Sequence, residues 1–168
     1  MKRTLVLGLM TLCAFGPPGR VRAQQGSSTA GSKLEAIFKG AEMPFVKLGD
    51  DHYKAVLSID DNESDRFQVF LQTIGNNPND DALQVMQMVF FLGALPKGTT
   101  TPTALIKQIN EWNGSLSRGS VFVLNSAVFY QSSAWLSKSD PTTLVNDALV
   151  GHYTSQKLRK EIEPYLKQ

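Results

Sequence analysis

Apolar positions along this chain change period several times, and each change marks an element. Leu34, Ile37 and Phe38 fall at helical spacing behind Ser32 as a cap and ahead of Gly40 as a stop, which predicts a short helix over Lys33–Lys39. Pro44 bars further helix, Phe45–Leu48 reads as a short strand, and Gly49-Asp50-Asp51 as a turn. From Tyr53 to Ile59 the period is two: Tyr53, Ala55, Leu57 and Ile59 share one face, Lys54 and Ser58 the other. The polar turn Asp60–Asp65 leads to a strand over Arg66–Ile74 with Phe67, Val69 and Leu71 on one side. A strong turn signal follows at Gly75–Asp81.

Leu83–Leu92 is apolar almost throughout and carries two methionines, so a helix competes with a strand there. Val85, Val89, Phe90 and Phe91 suit a sheet, and a strand apolar on both faces needs cover on both. Beyond the loop Pro96–Thr101, a helix to about Trp112 is predicted, capped by Thr101 or Thr103, with Pro102 near its first turn. Its stripe is Leu105, Ile106, Ile109 and Trp112, and Asn113-Gly114 ends it. Strands Val121–Leu124 and Ala127–Leu136 flank a tight Asn125-Ser126 connection. Asp140 caps a last helix that Pro141 opens. Leu144, Val145, Ala148, Leu149, Tyr153, Leu158, Ile162 and Tyr165 form its inner face, with a bend expected at Gly151 and a disturbance at Pro164. The order α-β-β-β-β-α-β-β-α, with strands joined by short turns, predicts an α+β fold: a twisted antiparallel sheet with helices packed on one face.

The amino terminus changes the meaning of the composition. Lys2 and Arg3 precede the uncharged run Thr4–Phe15, Gly16-Pro17-Pro18-Gly19 breaks any helix, and Val21-Arg22-Ala23 has the small residues of a signal peptidase site. Residues 1–23 therefore read as an export signal cleaved after Ala23, which places the protein in the periplasm or outside the cell. The run is too short for a membrane span. Leu12 before Cys13 is also too large for a lipoprotein site, so no stable membrane anchor is expected. Four of the 17 basic residues lie in that segment, which leaves 13 against 15 acidic beyond it, with no basic stripe for nucleic acid. Cys13, the sole cysteine, falls there too, so the remaining chain must stand on its core without disulfides. Gln24–Ser32 is small and polar and reads as a flexible leader to a single domain over 33–168.

The segment Leu105–Asn113, with Ile-Asn-x-Trp-Asn at Ile109 to Asn113, resembles the recurring signature of the YbjN family, described as bacterial sensory-transduction regulators. The order of strands and the long terminal helix match as well, and the resemblance runs from about Lys33 to Leu166. It implies a fold like that of type III secretion chaperones, often dimeric, which hold partner polypeptides rather than turn over substrates. The export signal departs from the cytoplasmic members, and the family carries over no catalytic residues.

The remaining chemistry is sparse. Asn110, Trp112 and Asn113 of the motif suit a structural role: the asparagines satisfy backbone groups at the helix end, and the indole N–H needs an acceptor. Asp60, Asp61, Glu63 and Asp65 fail the EF-hand pattern, since position six is Asp65 and position twelve Leu71, and read with Asp80-Asp81 as solvated turns. His52, in a turn, and His152, on a helix, lack a second ligand at zinc spacing. Nucleophile-elbow, dinucleotide and Walker motifs are absent, so no metal site or cofactor is expected. The candidate partner or dimer surface is Met86, Met88, Val89, Phe90 and Phe91, joined by the hairpin residues Phe122, Phe129, Tyr130 and Trp135. The expectation is a non-enzymatic, exported module that binds a polypeptide through an apolar sheet face, as a homodimer. A small-molecule or lipid carrier with a pocket between sheet and helices is the alternative, and a hydrolase with a spatially assembled site ranks third.

Overall fold

In the computed structural model, residues 29–60, 63–74 and 84–166 are described. The readings of residues 1–28, Asp61, Gly75–Asp81 and Leu83 lie outside them. The elements are α1 (Thr29–Gly40), β1 (Phe45–Gly49), β2 (His52–Ser58), β3 (Ser64–Thr73), β4 (Gln84–Ala94), α2 (Thr103–Ser115), β5 (Ser120–Leu124), β6 (Ala127–Trp135) and α3 (Pro141–Leu166), with a 3-10 turn at Leu136–Lys138. Among the described residues the architecture is α+β: six antiparallel strands in one open sheet, and three helices. No helix there is long and apolar enough to cross a membrane.

The spatial order β1-β2-β3-β4-β6-β5 follows from the connections. Each of β1 to β3 pairs with the next. The chain then leaves through α2, and its return as a hairpin puts β6 against β4 and β5 at the edge. Asn125 and Ser126 both have positive φ (51° and 61°), the backbone of a two-residue hairpin whose twist matches its strands.

Alternation along the strands sorts the side chains onto two faces. On the inner face Phe67 lies opposite Phe90, Val69 opposite Met88 and Leu71 opposite Met86, and Phe90 in turn faces Tyr130. The rings of Phe67 and Phe90 stack at 5.1 Å. Leu34, Ile37 and Phe38 of α1, Leu105, Ile109 and Trp112 of α2, and Leu144, Ala148, Leu158 and Ile162 of α3 close over this face to form the core. Each fully buried large side chain contributes about 1.5–3 kcal/mol relative to exposure.

Several expectations need correction. Helix α1 starts at Thr29 and takes in the last residues of the expected leader, because Ala30 is buried against the core. Ser32 is therefore inside the helix, and the left-handed residue past its end is Glu42 (φ 52°), where the Met43 N–H returns to the Phe38 carbonyl. Neither Thr101 nor Thr103 caps α2. Pro102 holds the cap position in extended backbone without a side-chain bond. Ile106 and Tyr153 are exposed, since the inner stripes run through Leu105, Ile109 and Trp112, and through Ala148, Gly151, His152 and Ser155. Gly151 lies against the ring of Phe90 within a continuous α3, which runs through Pro164 to Leu166. The Asp140 cap is present, its Oδ1 accepting the Thr143 N–H at 2.8 Å. That bond holds the Asp140 carboxyl below its ordinary range.

Candidate functional site: the uncovered sheet face

The candidate surface on β4 divides by alternation. Met86, Met88 and Phe90 are 0%, 1% and 0% exposed and belong to the core, so they present nothing to a partner. Val89 and Phe91 point to the opposite side, with Phe91 50% exposed and Val89 screened by its neighbours. Tyr130 of β6 is likewise core, its hydroxyl donating to the Arg118 carbonyl at 2.9 Å, whereas Phe122, Phe129 and Trp135 share the side of Val89 and Phe91.

Among the described residues no helix covers that outer face, and most of the exposed large apolar side chains sit on it: Val46, Leu48, Phe91, Leu124 and Trp135. Phe122 stacks on Phe129 at 5.5 Å, and Phe129 meets Phe91 edge-on at 5.8 Å. Beside these rings runs a groove of about 330 Å³ over Phe70, Val89, Phe122, Leu124 and Phe129, edged by the amides of Gln68, Gln87 and Gln131. His52 is part of this face, not of a turn. Its ring stacks on Phe70 at 4.2 Å and its Nε2 is 2.7 Å from Gln68 Oε1. A smaller hollow of about 190 Å³ shares Gln68, Val89 and Phe129 with the groove and reaches Lys54 and Arg66. The layer between sheet and helices, by contrast, is filled by Phe38, Phe67, Met88 and Phe90, all fully buried. Hollows of about 390 Å³ beside Arg118 and Asp147 and of about 410 Å³ beside Pro96 and Tyr165 are also open, but the groove of the outer face is the one walled chiefly by aromatic and aliphatic strand side chains.

The motif residues serve different purposes. Trp112 Nε1 donates to Glu161 Oε2 at 2.6 Å, which ties α2 to α3. Asn113 pairs with the edge strand: its Oδ1 accepts the Val121 N–H at 2.6 Å and its Nδ2 donates to the Val121 carbonyl at 3.0 Å. Asn110 is exposed.

Asp65 is not part of a solvated tip. It lies within β3 on the inner face, and its Oδ2 is 2.8 Å from Nδ1 of His152, which is 2% exposed. Arg159 closes the cluster, with Nη2 at 3.3 Å from Asp65 Oδ1 and Nε donating to the Phe91 carbonyl at 3.0 Å. The other imidazole nitrogen is 3.3 Å from Glu63 Oε1 but out of line for a hydrogen bond. A histidine on a carboxylate invites comparison with a catalytic pair, but the nearby Ser155 hydroxyl donates to the carbonyl of His152 itself. Asp65 and Glu63 address opposite ring nitrogens and do not converge, and among the described residues no group of three acidic, histidine or cysteine side chains is placed to hold a metal. The cluster fastens α3 to β3 and β4. Sequence reasoning missed it because its members are 87 positions apart.

Comparison of the chain with protein-family models and with curated proteins gives no match.

Proposed function

We propose that this protein is a non-enzymatic binding module, YbjN-like and related in fold to type III secretion chaperones, that is exported and holds a polypeptide on the uncovered face of its sheet. One observation carries the reading: among the described residues the three helices lie on one side, while Phe91, Leu124 and Trp135 stand exposed on the other. An apolar face of this kind on a folded domain is a docking surface. Support also comes from the Gln131 amide and from Gln68 Nε2 and Gln87 Oε1 along the groove, which offer donors and acceptors to an extended backbone, while Gln68 Oε1 and Gln87 Nε2 are engaged by His52 and Gln72.

The test compares two neighbours on one strand. Phe91→Asp is expected to keep the circular dichroism spectrum and abolish retention of a reduced, alkylated model polypeptide on a sensor surface. Phe90→Asp is expected to unfold the chain, because it places a carboxylate in the core. Unchanged retention by Phe91→Asp sinks the proposal.

A further inference from the structure

Among the described residues, the outward-facing strand positions carry two cationic side chains, Lys54 and Arg66, and no carboxylate. Lys54 and Arg66 sit on adjacent strands β2 and β3, both exposed, and neither is in an ion pair among the described residues. The two described carboxylates nearest Arg66 in sequence are turned elsewhere. Asp65 faces inward to His152, and Glu63 accepts from Gln156 at 2.6 Å on α3. The hollow that holds Lys54 and Arg66 adjoins the apolar groove, sharing Gln68, Val89 and Phe129 with it. A ligand lying along the groove therefore ends beside two uncompensated positive charges.

We infer that the occupant of this face is a polypeptide segment of apolar residues flanked by aspartate or glutamate, its carboxylates meeting Lys54 and Arg66. The inference rests on the polypeptide-binding reading and specifies its partner. A second copy fits less well, because two such faces together bring four cations and no anion, and unpaired charge disfavours association. An alkyl chain fits less well too. It satisfies the cations with its headgroup but leaves the amide of Gln131 and the Gln87 Oε1 with bonding capacity that an apolar tail cannot fill, the Gln87 Nε2 already donating to Gln72.

The test uses three synthetic peptides with the same alternating Val/Phe and Thr core, flanked at one end by Asp-Glu, Gln-Gln or Lys-Lys, titrated into the purified protein by calorimetry. The acidic peptide is expected to bind about tenfold more tightly than the neutral one at low salt, with the gap narrowing as salt rises. Lys54→Glu/Arg66→Glu, two surface changes that leave the core untouched, is expected to reverse the order so that the Lys-Lys peptide binds best. Equal affinity for all three peptides overturns the inference and leaves the polypeptide-binding reading standing. If no peptide binds while sedimentation shows a stable dimer, a second copy covers the face and both readings fall.

Discussion

Gly151 tests the packing of α3 on the sheet because two effects there have opposite signs. Glycine inside a helix is less favourable than alanine by about 1 kcal/mol, so Gly151→Ala on an open helix surface is stabilising. Here a Cβ at this position collides with Cε2 and Cζ of Phe90. That ring cannot move aside: it is fully buried, stacked on Phe67 at 5.1 Å and set against Tyr130 at 6.2 Å. Overpacking costs about 1–3 kcal/mol, and a clash with a boxed-in aromatic belongs at the upper end. The net expectation is a loss of about 2 kcal/mol, or a fall in Tm of about 4–8 °C for a chain of this length. In a Phe90→Leu background the ring is gone, and Gly151→Ala should then stabilise by about 1 kcal/mol. Urea unfolding followed by circular dichroism on the four proteins of this cycle reads the sign directly. A stabilising Gly151→Ala in the parent protein, or the same sign in both backgrounds, refutes the packing argument.

The other predictions concern single contacts. Trp112→Phe removes the bond to Glu161 and should cost about 1–2 kcal/mol in urea unfolding, with little further loss when Glu161→Gln is added. Asn113→Ala removes both bonds to Val121 and should cost a similar amount, about 1 kcal/mol per bond. The Tyr53 hydroxyl is pushed up to about 12 by burial, with Glu35 adding to it. Because the folded value lies above the ordinary 10.0, its contribution to stability is complete below pH 10 and is lost as pH rises toward 12. Absorbance titration at 295 nm of Tyr53→Phe should lack a late-ionising component, while Tyr130, also raised by burial, keeps its own.

Local pattern shows most of the elements. The alternation at Tyr53, Ala55 and Leu57 and the positive-φ turn at Asn125-Ser126 are readable residue by residue. For β4 the pattern shows a strand but not its sides, because apolar residues occupy both. Only the pairing of Met86, Met88 and Phe90 with inner residues of β3 and β6 separates core from surface. Helix α3 misleads for the opposite reason. Its inner face at Gly151, His152 and Ser155 is small or polar, chosen to fit Phe90 and Asp65, so an apolar stripe points to the exposed Tyr153 instead. The start of α1 at Thr29 is invisible to periodicity, since Ala30 alone marks the buried side. In the candidate site, the aromatic positions are legible and the isolation of Lys54 and Arg66 is not, because it depends on which way Asp65 and Glu63 turn.

The side-chain amide of Asn113 makes the two ends of the sheet unequal. In β5 the groups of Val121 that point away from β6 are already taken, which leaves Val123 as the strand's remaining outward pair. In β1, where Val56 N–H bonds to the Pro44 carbonyl and fixes the phase of the ladder, Phe45 and Lys47 direct their backbone groups outward. Edge-on growth of the sheet is therefore polar. Two copies that met β1 to β1 would use the better edge of each and leave at either end a β5 with a single outward pair, a poor template for a third copy.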